Sequence, residues 1–308
     1  MTLPLTVIGG YLGAGKTTLL NHMLSGDHGR RLAVIVNDFG AINVDASLIA
    51  DHDGDTIALT NGCVCCSALD GTTEAIARFL RTPDAFDHIV IEASGVAEPG
   101  KVARNTSGFR LPLDGVIVLA DAEQLPDQAA NRYAGRSVLA QLRQADLIVL
   151  NKLDLAPEQR LTETRALISA HAPGTPVIET RHADLPLAVL FGARQGEDGR
   201  IDHAMAAAAE DHATAYHSDL MEYADPLGAA ELKALATSLT EGAIRAKGHV
   251  WLAEDPETRH LYQQVGRRWT LTAAGPWQSR DRATRIVSIR LSAEPEPRPT
   301  TDAPSLSE

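Results

Sequence analysis

Cysteine is nearly missing from this chain: its 308 residues contain only three, at positions 63, 65 and 66. That scarcity excludes a disulfide framework, and a tight thiol cluster in a reducing compartment points instead to metal binding or catalysis. Positive charge is short as well. With 28 Lys and Arg against 40 Asp and Glu, the net charge of −12 does not suit nucleic acid or an anionic membrane, whereas cations or a basic partner fit. No apolar run is long enough to span a bilayer, and the start "MTLPLTVIGG" lacks the basic residues and small-residue cleavage site of a signal peptide. These absences predict a cytoplasmic protein with neither nucleic acid nor membrane as its partner.

What is present reads as two domains. Up to residue 192 short apolar runs alternate with longer amphipathic ones, the pattern of a mostly parallel sheet covered by helices. The expected strands are "LTVIG" (5–9), "LAVIVN" (32–37), "DHIVIEA" (87–93), "DGVIVLA" (114–120), "DLIVLN" (146–151) and "PVIET" (176–180). Near-continuous Val, Ile and Leu suits strands buried on both faces. Residues 193–215, rich in Gly, acids and Ala, read as a linker. Residues 216–291 resume with the helix-like "GAAELKALATSLTE" and the strand-like "GHVWLA", "LYQQVG", "RWTLTA" and "TRIVSIRL", a small α+β domain. The Pro-, Ser- and acid-rich tail 292–308 reads as disordered.

The first strand runs into "GGYLGAGKTTLL", which satisfies G-x-x-x-x-G-K-[ST] and opens a helix. Gly10, Gly13, Ala14 and Gly15 form a loop whose N–H groups cradle phosphates at a helix N-terminus. Lys16 is expected to contact the β- and γ-phosphates, the Thr17 hydroxyl to ligate Mg²⁺, and Thr18 to lie beside it. Strand 87–93 delivers Glu92 to the carboxyl edge of the sheet, followed by Gly95 in "EASG". There Glu92 suits the Mg²⁺ shell, and the Gly95 N–H suits sensing of the γ-phosphate. "NKLD" at 151–154 supplies Asn151, Lys152 and Asp154. An Asp carboxylate accepts from guanine N1–H and the exocyclic amine, whereas adenine would leave it unpaired, so the expected nucleotide is GTP. Glu179 and Thr180, at the next strand end, are expected near the base. Where many GTPases carry a water-orienting Gln after the equivalent of Gly95, this chain has Val96. Unaided hydrolysis is therefore expected to be slow.

Cys63, Cys65 and Cys66 fall between "NDFG" (37–40) and "IEASG" (91–95), both expected near the γ-phosphate. Three thiolates favour Zn²⁺ or Co²⁺ and leave a tetrahedral position open, which suits delivery of an ion better than its permanent retention. Redox sensing and inert structural thiols are the competing readings. A Cys65–Cys66 disulfide would be strained, and an Fe–S cluster would need a fourth ligand.

Together "GGYLGAGKTTLL", "NDFG", "NGCVCC", "IEASG", "NKLD" and "RAKGHVWLAEDPETRHLYQQVGRRWTL" resemble, in content and order, the CobW-type family of P-loop GTPases over roughly residues 3–290. The resemblance implies GTP hydrolysis coupled to binding a transition metal at the C-x-C-C motif and passing it to a client metalloenzyme, with homodimer formation left open. The family pattern is close to N-E-F-G-E; here Asp38, which would join the Mg²⁺ shell, stands for the first acid and Ala41 for the second. The alternatives are a nucleotide-switched metal- or redox-sensing regulator and a P-loop kinase or ATP-dependent ligase.

Overall fold

Short Val, Ile and Leu runs with no polar face suit strands inside a sheet covered on both sides, where the ladders satisfy their backbone groups. A computed structural model, which describes residues 3–26, 29–37, 56–59, 67–109, 111–192, 216–277 and 282–291, places them there. The first half contains, in chain order, β1 (Leu5–Gly10), α1 (Lys16–Ser25), β2 (Leu32–Asn37), β3 (Thr56–Leu59), α2 (Ser67–Phe79), β4 (His88–Glu92), α3 (Pro99–Asn105), β5 (Leu113–Asp121), α4 (Leu125–Ala130), α5 (Gly135–Gln144), β6 (Leu147–Asn151), α6 (Glu158–His171), β7 (Val177–Glu179) and α7 (Leu187–Phe191). Its seven strands form one sheet in the order β3-β2-β4-β1-β5-β6-β7, and each pairing is parallel. Ile8 and Val36 both pair with Glu92, and Asn37 pairs with Leu59. The carboxyl ends of β1, β2, β3 and β4 therefore share one edge.

Side chains alternate along the strands. Val7, Ile35, Ile89 and Ile91 pack with α2, α3, α5 and α6 on one face, while Ile8, Val34, Val36 and Val90 pack with α1 and α7 on the other. The second half, β8 (Tyr216–Tyr223), α8 (Ala229–Gly242), β9 (Arg245–Val250), β10 (Thr258–Val265), β11 (Arg268–Pro276) and β12 (Thr284–Leu291), forms an antiparallel sheet in the order β11-β10-β9-β12-β8. Helix α8 covers one face through Leu232, Leu235 and Leu239. Ile244, Val265 and Ile289 instead join the core on the α1 and α7 side of the parallel sheet.

The junction between the sheets is also polar. Arg245 is buried in an ion pair with Asp114 at the start of β5 and donates to Leu190 O at 2.8 Å. The strand expected at "GHVWLA" instead starts three residues earlier, at Arg245, and the Asp114 partner is what lets that arginine enter the fold. The expected linker 193–215 and tail 292–308 lie outside the described residues. Among the described residues no helix is long and apolar enough to cross a membrane.

Candidate functional site

Strand β1, buried throughout, ends at Gly10, from which the loop turns into α1. Gly15 caps that helix at φ 104°, a left-handed conformation that favours glycine. A Cβ there would also lie 2.4 Å from Asn151 Nδ2, so packing demands glycine independently. Lys16 is buried, its Nζ 3.5 Å from Tyr11 O; Thr17 is half-buried, and Thr18 is exposed. The loop thus places Lys16 at the carboxyl edge, while Gly10 N donates to Gln141 Oε1 at 2.8 Å and Ala14 N to Tyr11 O at 3.2 Å.

Glu92 ends β4 at only 2 % exposure, and Ser94 beyond it is buried with an Oγ that makes no hydrogen bond among the described residues. Gly95 presses on the phosphate loop: a Cβ there would come within 3.0 Å of Leu12 N. Three side chains on one face of α5 hold the segment that follows. Ser137 Oγ donates to Val96 O at 3.0 Å, Gln141 Nε2 donates to Gly95 O at 3.0 Å, and Gln144 Oε1 accepts from Gly100 N at 2.9 Å. Gln144 Nε2 also donates to Glu98 Oε2 at 3.0 Å. Hydrogen bonds from Lys101 and then Gln144 hold the Glu98 carboxyl below its ordinary pKa.

On the other side of the loop, Asn151 ends β6 at 2 % exposure. Its Nδ2 donates to Ala14 O at 3.1 Å and its Oδ1 accepts from Ala183 N at 2.8 Å. Lys152 adopts φ 65° and reaches back to Asp121 Oδ2 at 2.8 Å. Asp121 Oδ1 in turn accepts from Glu123 N and Gln124 N at 3.0 and 3.1 Å, fixing the start of α4. Asp154 is exposed at the rim. Glu179 points to α6, paired with Arg165 at 2.6 and 2.8 Å, while Leu153 N donates to Thr180 O at 3.3 Å and joins the two loops. Of the two residues expected near the base, Thr180 is thus tied to the "NKLD" loop, and Glu179 is engaged by α6.

The structure brings Gly10 to Thr18, Glu92, Gly95 and Asn151 to Asp154 to a single edge. Asp38, Cys63, Cys65 and Cys66 lie outside the described residues. Among the described residues no group of three or more His, Cys, Asp or Glu is arranged to hold a metal ion. Sequence reasoning missed Gln141, Gln144 and Asp121. The two glutamines occupy the polar stripe of an amphipathic helix, where a buried amide and a solvated one look alike.

The chain matches the CobW/HypB/UreG nucleotide-binding domain over residues 4–179 and the C-terminal domain of the cobalamin synthesis protein cobW over residues 217–296. It is 34% identical to the zinc chaperone YjiA of Escherichia coli, over 93% of each chain. It is 32% identical to the zinc chaperone CobW of Pseudomonas aeruginosa, over 93% of this chain and 87% of that one. The zinc-regulated GTPase metalloprotein activator 1 of Dictyostelium discoideum is 26% identical over 89% of this chain and 68% of its own. Matches that span both halves of the chain at this identity establish common descent for the whole of it.

Proposed function

The chain belongs to the CobW/HypB/UreG family of P-loop GTPases, and on that premise we propose that it is a metallochaperone that couples GTP hydrolysis to delivery of a transition metal. The cargo ion is Zn²⁺, for which the relatives are named, or Co²⁺, which favours the same tetrahedral thiolates. Cys63, Cys65 and Cys66 carry it, and a client metalloprotein receives it through the open position. One observation supports the coupling. Asn37 pairs with Leu59 and Val36 with Glu92, so the chain leaves β3 toward the cysteines from the same sheet edge that holds the phosphate loop.

At that edge the loop amides and Lys16 bind the phosphates, and the Gly95 N–H meets the γ-phosphate. The residues suit Mg²⁺: Thr17 and Glu92, with Asp38, offer only hard oxygen donors, and Glu92 is buried where a cation would offset its charge. When bound, Mg²⁺ neutralises charge on the β- and γ-phosphate oxygens. Asp154 selects guanine, and Asn151 holds the loop that presents it.

Chelator competition tests the coupling. With couplings typically worth about 1–3 kcal/mol, the cargo ion should bind on the order of 5–150-fold tighter with Mg·GTP than with GDP. Cys65→Ser and Cys66→Ser should abolish the high-affinity site. Equal metal affinity in both nucleotide states, or retention of the site in the Ser variants, would overturn metal transfer while leaving the protein a GTPase.

A further inference from the structure

We propose that Gln141 is the positioning residue that ties the γ-phosphate-sensing segment to the phosphate loop, and thereby sets how strongly the site prefers GTP to GDP. The proposal rests on the assignment of Gly95 as the γ-phosphate contact. Gln141 comes from α5, far in sequence from either loop, and is 1 % exposed. A buried carboxamide is costly unless both of its ends are satisfied. Here they are satisfied by the backbones of the two phosphate-facing segments: Oε1 accepts from Gly10 N at 2.8 Å, and Nε2 donates to Gly95 O at 3.0 Å. One planar amide therefore fixes the distance between the loop that holds every nucleotide and the residue that meets only a triphosphate.

The neighbouring contacts show why this link matters more than the other two on the helix. Ser137 and Gln144 hold the segment 96–100 to α5, but among the described residues neither hydrogen-bonds to the phosphate loop. Gln141 alone of the three spans both. Leu12 against Gly95 adds an apolar contact with no directional preference. With the Gly95 carbonyl held by Gln141, the orientation of that residue is set before nucleotide arrives, and binding of a γ-phosphate need not order it. GDP makes no contact there. Loosening the Gly95 end therefore weakens GTP selectively, whereas loosening the Gly10 end weakens both nucleotides alike.

The readout is the ratio of affinities for a non-hydrolysable GTP analogue and GDP, measured with Mg²⁺ and without any transition metal. Gln141→Met, similar in size but unable to donate or accept strongly, should lower the ratio on the order of ten-fold. Gln141→Glu supplies a rescue. Its carboxylate still accepts from Gly10 N but repels the Gly95 carbonyl, whereas its protonated form, with one acceptor and one O–H donor, reproduces the amide. Burial raises the pKa of such a carboxyl. The ratio for Gln141→Glu should therefore be low at about pH 8 and return toward the wild-type value at about pH 5.5, with wild type and Gln141→Met measured in parallel to remove the titration of the nucleotide. A wild-type ratio in Gln141→Met, even with a lowered melting temperature, would reduce the residue to a structural one and overturn the proposal. Failure of acid to restore a folded, GDP-binding Gln141→Glu would do the same. Equal affinity of wild type for both nucleotides would overturn the role of Gly95 and this proposal together, whatever becomes of metal transfer.

Discussion

Asn151 illustrates how a motif residue also holds the protein around it. The spacing of "NKLD" assigns it to guanine recognition, and inside the protein one N–H and the oxygen of its amide also engage Ala14 O and Ala183 N. It clamps the phosphate loop to the 180–184 loop, and the close approach it needs is what excludes a side chain at Gly15. Asn151→Ala leaves a buried N–H without its acceptor and a carbonyl without its donor. The expected cost is about 2–4 kcal/mol of folding stability, together with weaker binding of GDP as well as GTP. Urea unfolding with and without GDP measures both. Stability within about 0.5 kcal/mol of wild type, the range of an ordinary surface change, would contradict the clamp. That Lys16, Glu92 and Gly95 lie at one sheet edge was legible because each sits at or just beyond a strand end. Gln141 was not, since its partners lie 131 and 46 positions away and nothing in its local sequence marks it.

Elements were legible in proportion to their burial. The runs at 32–37 and 284–291 coincide with β2 and β12, and, β3 apart, the other strands of the parallel sheet lie within a residue or two of the apolar stretches. Strand β3 escaped notice because four residues, "TIAL", are too few to show a pattern. Strand β8 escaped because it is an edge strand carrying His, Ser, Asp and Glu, largely exposed. Helix α3 has seven residues and begins at Pro99, an N-terminal signal without enough length behind it. That helix follows the connection that begins at Gly95, and Val96 there is 41% exposed. Its side chain has no group to orient water, and the Gln141 amide, which reaches the adjoining Gly95 carbonyl, is already bonded at both ends. Basal GTP turnover should therefore lie well below roughly 1 s⁻¹, the low end of typical enzymes, and Lys16→Ala should remove it. Steady-state phosphate release decides the point; fast turnover by the isolated protein would reveal a catalytic group on another segment.

At the scale of the molecule, β4 joins two kinds of site, since it ends in Glu92 at the nucleotide edge and begins with His88 at the junction between the sheets. His88 is fully buried, shares a 2.8 Å hydrogen bond with Thr6 Oγ1, and stacks edge-on to Phe191 at 5.2 Å. Burial, against the pull of Asp114 and with Arg30, Arg245 and Lys247 nearby, lowers its pKa to about 3. Burial alone would raise the pKa of Asp114, but Arg245 first, and Lys247, outweigh it and keep the carboxylate charged beside a neutral His88. The junction is thus built for a neutral His88. Well above pH 6.5 the ring is neutral in both folded and unfolded chains and contributes no pH dependence. Below that, the unfolded chain takes up a proton that the native junction refuses, so stability falls with pH at about 1.4 kcal/mol per unit. Between pH 7 and 5 this amounts to about 2 kcal/mol from His88. His249, lowered to about 4 by burial and then Arg259, adds a parallel loss of its own. His88→Gln keeps a hydrogen-bonding side chain but does not titrate, so the difference between its acid loss and that of wild type isolates the junction. Because Ile244, Val265 and Ile289 share a core with the parallel sheet, one urea transition should report both halves. Wild type should lose about 2 kcal/mol more than His88→Gln between pH 7 and 5. An equal loss in the two proteins would mean that the junction opens to solvent and accepts the proton without coming apart.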